Sequence, residues 1–442
     1  MTDSGRVAIL GAGLAGLSAA YHLPGWDCHV YDQHPYYGGH AHSWSYGGFI
    51  FDEGPHVSFT KSAKVRELFA RSVGGGYYES MVIASNYFYG HILAHPAQTN
   101  LYGLPEALVQ GCIGDLAQAE AELGGTPANY AEWCYQNLGR TFSEEFTFRY
   151  TRKYWTLDPR RMTTDWIGVR VYRPSLPEVI AGATNAGGGN HYYIQEIRYP
   201  QEGGFYSFTH LLAQGRDLRL GHQLVELDLR SRRLTFANGR SEHYDHLISS
   251  LPLPELVRVI KDAPAPVRDA AQELSCSSIV IVNVGLKGNS LPHCHWMYFY
   301  DDDIIFSRVS FPHMLSPNNV PPGHSSLQAE VYFSKHRPLP VARVTEKVLS
   351  DLRRVGLLRD ADDIVLCRTE WVQYGNVIFD EQRARSLATV RRFLEGQRVL
   401  PCGRYGEWAY FWTDQAVLSG EKAAKQLRWG SVTGRHPCSH LA

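Results

Sequence analysis

An α/β fold organised around a parallel sheet is predicted by three features at the start of the chain. Residues 7–10 (VAIL) form a short apolar run suited to a buried parallel strand. Gly11, Gly13 and Gly16 follow in G-x-G-x-x-G spacing, and a helical pattern runs from Leu14 to about residue 22. Asp32 stands sixteen residues past Gly16, where a second strand ends. Strand, glycine turn, helix, strand and acid in this order describe a Rossmann-type cradle for a dinucleotide. Gly11 allows the tight turn, Gly13 the close approach of a pyrophosphate, and Gly16 the packing of helix on strand. The unpaired N–H groups beginning at Leu14 and Ala15 and the positive end of the helix dipole suit the phosphates, while Asp32 suits the hydroxyls of a ribose.

The residues beyond Asp32 separate FAD from NAD. Gly38 and Gly39 lie six and seven positions past the acid and open the run GGHAHS. This resembles the extended FAD motif of the flavin amine oxidase superfamily, which includes UDP-galactopyranose mutases, protoporphyrinogen oxidases and phytoene desaturases. His40 departs from that motif, because many relatives carry an arginine there, and a neutral imidazole is a weaker phosphate partner than a guanidinium fork. The resemblance implies FAD as cofactor, with Val225 as a further contact. It also implies a Rossmann-type FAD domain, a mixed-sheet substrate domain and a helical insertion.

The later segments fit that plan. Residues 87–95, centred on Gly90, read as a hairpin with alternating aromatics. Residues 104–124 and 127–150 have helical apolar spacing. Between residues 203 and 253 come a turn with a helix, a hairpin (223–228 and 233–236) closing over Asn238–Gly239, and a buried strand at 246–250. Residues 279–374 alternate strand-like runs with one helix near 341–355. The expected cofactor domain therefore comprises residues 1–60, 203–253 and 395–430. Residues 61–202 are expected to form the helical substrate insertion and 254–394 the substrate-binding sheet.

Near the C-terminus, residues 398–402 form an apolar strand leading into GRYGEWAYFWTDQAVLSGEKAAKQL. Gly403 supplies a turn, Asp414 or a neighbour starts a helix, and Ala416, Gly420, Ala423 and Ala424 give that helix a closely packing face. In the superfamily the matching segment completes the FAD site, which assigns Gly403, Arg404, Asp414, Gln415 and Ala416 to the cofactor. Asp414 reads equally well as a helix N-cap.

Three strings are similar to UDP-galactopyranose mutases. FDEGPHVSFT places His56 on a histidine near the flavin; YTRKYWTLDP carries Trp155 and is followed by Arg170, where the family binds a diphosphate; GRYGEWAY places Arg404 and Tyr410 at the sugar-phosphate end. The resemblance thus makes His56, Trp155, Arg170, Arg404 and Tyr410 the catalytic set. Phe59 replaces a second histidine, Phe306 a diphosphate-binding tyrosine and Phe311 an acid. Amine oxidases usually carry a lysine in the strand matched by SSIVIVNVGL, which here offers apolar side chains and Asn283. Two activities follow from the resemblance: ring contraction of a nucleotide-activated sugar by reduced flavin, or hydride abstraction from a small molecule or sugar.

Composition narrows the class. The 442 residues, 44% hydrophobic with net charge −1, can fill two or three subdomain cores and lack the basic surplus that captures nucleic acid or anionic membrane. No apolar run approaches the ~20 residues of a membrane span. Eight cysteines without a C-x-x-C pair, and no leader before the first strand, make the cytoplasm the expected compartment. His293-Cys294-His295 is not expected to bind a metal, because adjacent strand side chains diverge and a third ligand is lacking. The expected partner is a small-molecule substrate, with oligomeric state left open.

Overall fold

The computed structural model describes residues 5–122, 124–186, 191, 193–359 and 363–433. Its first sheet is parallel and five-stranded. The order is Val399–Pro401, His246–Ser249, β1 (Arg6–Leu10), β2 (Asp27–Tyr31) and Asp217–Arg219. β1 is central and buried from Val7 to Leu10, as expected of a strand covered on both faces. Between β1 and β2 runs α1 (Leu14–Tyr21), whose residues from Leu14 to Ala20 are all buried.

The C-terminal helix, Thr413–Thr433, lies against α1. Its approach is set by Gly420, where an added Cβ would stand 2.1 Å from the Ala15 carbonyl oxygen. Gly16 performs the same service inside the βαβ unit: a Cβ there would meet the Gly11 carbonyl oxygen at 1.9 Å. α1 and the helix Thr413–Thr433 thus approach closely where a side chain is absent at Gly420.

The second sheet has seven strands in the order Ile364–Val372, Ser278–Lys287, His324–Phe333, Arg308–Ser310, Trp296–Phe299, Ala84–Phe88 and His91–Ala94. Its pairings are antiparallel except between Trp296–Phe299 and Ala84–Phe88. Alternation along these strands divides the faces. Met297, Phe299, Val309, Leu327, Ala329 and Val331 pack in one apolar core, whereas Trp296, Tyr298, Arg308, Glu330 and Tyr332 line a cavity.

The helical layer comprises Glu106–Ala121, Tyr130–Leu138, Arg140–Phe142, a π-helical turn at Ser143–Thr147, Phe148–Tyr154 and Leu176–Thr184. Among the described residues no helix is long and apolar enough to cross a membrane. The described cysteines are unpaired thiols, and Cys438 lies outside the described residues.

Three expectations need correction. The span 61–202 is not purely a helical insertion, because Ala84–Phe88 and His91–Ala94 complete the second sheet through a parallel pairing more than two hundred residues away in sequence. Asn238–Gly239 turns Arg233–Phe236 into Ser241–His243 rather than closing the preceding hairpin. Phe306 and Phe311, fully buried in the core behind the second sheet, do not face the cavity. It is Arg308, between them, that reaches the cavity wall.

Replacing Gly420 by valine forces the Ala15 backbone away and is expected to cost about 1–3 kcal/mol through overpacking. Thermal unfolding of the purified variant should show a lowered melting temperature together with loss of bound flavin.

Candidate active site

A cavity of about 1120 Å³ opens at the carboxyl ends of the parallel strands and extends beneath the polar face of the second sheet. Its volume exceeds the ~300–1,000 Å³ of ordinary ligand pockets, leaving room for a dinucleotide and a substrate together. Its position is the one that open parallel sheets use for ligands, outside the carboxyl ends of the strands.

The dinucleotide end has a floor of glycines. Gly11, Gly13, Gly38, Gly39 and Gly403 line it without side chains, and a Cβ on Gly39 would stand 3.0 Å from the Gly13 Cα. The two glycine segments are tied by the Gly38 N–H donating to the Ala12 carbonyl at 2.8 Å. Gly13 is the N-cap of α1 and makes no side-chain cap bond, so the first N–H groups of the helix are left for an anion. Leu14 and Ala15 lie on the wall there, and Gly16 sits behind it as a packing residue.

Asp32 is positioned by two backbone donors, the Ala12 N–H at 2.7 Å and the His34 N–H at 2.9 Å. Beyond it the wall passes to His222, Gln223 and Leu224. Val225, by contrast, is exposed, at the point where the register of its strand pair shifts between Leu224 and Glu226. The cofactor contact expected at Val225 thus falls on a residue that does not line the cavity, whereas Gln223 and Leu224 do.

At the C-terminal segment Gly403, Arg404, Trp412, Thr413 and Ala416 face the cavity. Asp414 and Gln415 do not line it. The Thr60 hydroxyl donates to Asp414 at 2.8 Å, and Gln415 accepts the Trp412 N–H at 2.9 Å, so both serve the first turn of the helix. His40 lies on the wall, its Nδ1 2.6 Å from a Glu53 carboxylate oxygen.

At the other end four of the expected catalytic residues meet around one ring. The Arg170 guanidinium lies 4.8 Å from the centre of the Tyr410 ring and 4.5 Å from that of Trp412, and Arg404 lies 5.6 Å from Tyr410. Arg170 also donates to the carbonyls of Trp166 at 3.1 Å and Tyr410 at 2.6 Å, while its buried Nε has no partner. Burial draws the Arg170 pKa down from its usual value. Arg404 donates through Nε to the Phe411 carbonyl at 2.9 Å. The hydroxyls of Tyr410 and Tyr154 are hydrogen-bonded at 2.9 Å, and the edge of buried Trp155 backs Tyr410 at 4.9 Å between ring centres.

His56, the fifth expected residue, lines the same cavity, and its Nδ1–H donates to the Gly54 carbonyl at 2.8 Å. Burial pushes its pKa down to about 4, with the Arg404 charge adding to the effect against the Gly54 bond. At neutral pH the ring is uncharged and offers Nε2 as an acceptor.

The sequence reading missed Arg308, Glu330 and Tyr332. Arg308 and Glu330 are cross-strand partners whose Nη2 and Oε1 lie 3.0 Å apart, and the Tyr332 hydroxyl donates to the same carboxylate at 3.2 Å. The missed signal was the period-2 polar set Ser326, Gln328, Glu330 and Tyr332 within an otherwise apolar strand. His293-Cys294-His295 forms no cluster: His295 Nδ1 accepts the Ile83 N–H at 3.0 Å. Among the described residues no group of three His, Cys, Asp or Glu side chains could hold a metal ion.

A glycine-floored cradle at an uncapped helix N-terminus, an acid at the ribose position and a second chamber in the same cavity define a dinucleotide-dependent enzyme of the flavoprotein class. The chain belongs to the flavin containing amine oxidoreductase family, whose sequence pattern matches residues 14–428. Its cofactor is FAD. The fold is similar to that of a reduced UDP-galactopyranose mutase, with TM-score 0.91 and 25% identity over 98% of this chain and 95% of that one. It also resembles a protein described as a putative protoporphyrinogen oxidase from Exiguobacterium sp. 255-15 (TM-score 0.73, 17% identity, 96% and 98% covered). An engineered putrescine oxidase is a further likeness (TM-score 0.64, 14% identity, 96% and 99% covered).

Asp32→Ala removes a charged acceptor from the ribose position and two bonds that shape the glycine turn. FAD affinity is expected to fall about 10- to 100-fold, by analogy with hydrogen bonds to charged groups. The ratio of flavin to protein absorbance after purification checks this.

Proposed function

We propose that this enzyme acts on a nucleotide-activated sugar through reduced FAD, in a ring-contraction reaction without net electron transfer. The observation that carries the reading is Arg170, a cavity-facing guanidinium held between Tyr410 and Trp412 with one buried nitrogen unpartnered. Such a group suits the diphosphate of a sugar nucleotide, since an arginine pre-positioned by carbonyls and rings loses little freedom on binding. The likeness to the reduced mutase supports the same choice. So does the absence of lysine among the described residues lining the cavity.

In its reduced form the cofactor supplies a nucleophilic ring nitrogen for the anomeric carbon. The chain supplies the surroundings. Arg170 and Arg404 hold the departing nucleoside diphosphate and offset its charge. Tyr154 and Tyr410, paired through their hydroxyls, leave one O–H free to donate to a phosphate or sugar oxygen. Their pairing also fixes the Tyr410 ring on which both arginines rest. Neutral His56 can accept a proton at Nε2 from a sugar hydroxyl and return it, which fits reversible ring opening. Tyr150, Tyr298 and Trp155 exclude water from the chamber.

A second reading, hydride abstraction as an oxidoreductase, is favoured by one feature. Glu330 cancels the Arg308 charge, and Tyr193 stacks on Trp412 at 5.2 Å between ring centres, so part of the chamber suits an uncharged substrate.

Titrating the dithionite-reduced protein with nucleoside diphosphate sugars separates the two. The expected result is a flavin spectral change and a furanose product formed only in the reduced state. Turnover only when oxidised, with hydrogen peroxide or reduced dye accumulating, would contradict the mutase reading. Arg170→Ala is expected to lower kcat/KM for the nucleotide sugar about 100-fold, the loss of a charge-assisted hydrogen bond of about 3 kcal/mol.

A further inference from the structure

We propose that the strand Ile364–Val372 is a docking edge for a second copy of this chain, the two strands pairing antiparallel about a twofold axis at Thr369 and joining two seven-stranded sheets into one. The strand stands at the end of the second sheet. Ser278–Lys287 pairs with it on one side, and among the described residues no strand pairs with the other. At nine residues, it lacks the shortness, the proline and the surplus of one charge that usually protect a sheet edge. Ile364, Val365 and Trp371 are 37%, 50% and 52% exposed along it.

The other edges of the two large sheets are short. His91–Ala94, at the far end of the same sheet, has four residues, and Val399–Pro401 and Asp217–Arg219, the outer strands of the parallel sheet, have three each. A long edge of outward N–H and C=O groups, flanked by exposed apolar side chains, is a template for another strand.

The residues of the edge select its occupant. Pairing with Ser278–Lys287 shifts register between Gly285 and Leu286, which face Leu366 and Ile364, so the regular ladder covers residues 366–372 and its midpoint is Thr369. An antiparallel pair centred there sets Arg368 of each copy opposite Glu370 of the other, Leu366 opposite Val372, and the exposed Cys367 opposite Trp371. One strand thus forms two unlike charge pairs with itself, which is the self-complementarity that a closed twofold contact requires. Moving the centre by one residue either way sets Arg368 or Glu370 against its own copy, and like charges directly opposite are unfavourable.

Tyr46 already holds the two charges on one face. Its hydroxyl donates to Glu370 at 2.6 Å, and the Arg368 guanidinium lies 5.7 Å from the centre of its ring. Glu370 and Val372 also line the cavity, so pairing at this edge braces one wall of the active site.

Sedimentation velocity of the full-length, FAD-loaded protein over a concentration series tests the edge, using the natural sequence, Arg368→Glu, Glu370→Arg and an equimolar mixture of the two variants. The natural sequence is expected to dimerise. Each variant alone sets like charges opposite at both positions and should dissociate on the order of 10- to 100-fold more readily. In the mixture a strand with two glutamates meets one with two arginines, and a dimer of one chain of each should return. That recovery requires both variants to be folded, and flavin absorbance per chain checks each one alone. A natural sequence that stays monomeric at ~100 μM, well above the concentration at which a micromolar contact forms, would overturn the proposal. So would one dissociation constant shared by the natural sequence, both variants and their mixture, or variants that dissociate and do not recover on mixing.

Discussion

The contact between α1 and the C-terminal helix is the constraint on which the site depends. Gly420 lets the later helix reach the backbone of the earlier one at Ala15, and Gly403 lets the preceding turn approach the Ala15 side chain, where a Cβ would stand 2.7 Å away. The first turn of α1 faces the phosphates, and the segment from Gly403 to Ala416 carries the residues of the opposite end of the cavity. Cofactor seat and substrate chamber are thereby held in one register by residues from opposite ends of the sequence. The Ser18 hydroxyl, donating to the Val417 carbonyl at 2.6 Å, ties the same two helices together.

The second sheet divides its labour by alternation. One face is an apolar core in which Phe306 and Phe311 are buried; the other presents Trp296, Tyr298, Arg308, Glu330 and Tyr332 to the cavity. Charged groups on this face are neutralised locally, Arg308 by Glu330, which permits them to stay where water is scarce. Arg170 is different. Its guanidinium is held by carbonyls and rings and, among the described residues, meets no carboxylate, which keeps its positive charge available to a ligand. Arg404 is likewise held by the carbonyls of Phe411 and Gly375, and an aromatic chamber with these two guanidinium groups is well matched to an anion attached to a less polar group.

The dinucleotide cradle was legible in the sequence because it is local: Gly11, Gly13, Asp32, Gly38 and Gly39 are close in the chain and their spacing maps directly onto a strand, a turn and a helix. The gathering of His56, Arg170, Arg404 and Tyr410 was legible only through motif resemblance, since nothing in the spacing of those four residues brings them together. Two kinds of information were hidden. Strand pairing across long separations, as between Ala84–Phe88 and Trp296–Phe299, leaves no local trace. Face assignment was hidden as well: Phe306 precedes the strand Arg308–Ser310 and is buried in the core, whereas Arg308, at the start of that strand, reaches the cavity wall. Val225 is exposed although its neighbour Leu224 lines the cavity, because the strand register shifts there.

The most direct measurement is the flavin content of the full-length protein isolated without added cofactor. One FAD per chain, released by mild denaturation and identified by its absorbance and mass, is the expected result, because cradle, acid and C-terminal segment enclose a single dinucleotide seat. A colourless protein that takes up no FAD when it is supplied in excess would contradict the reading of that cavity.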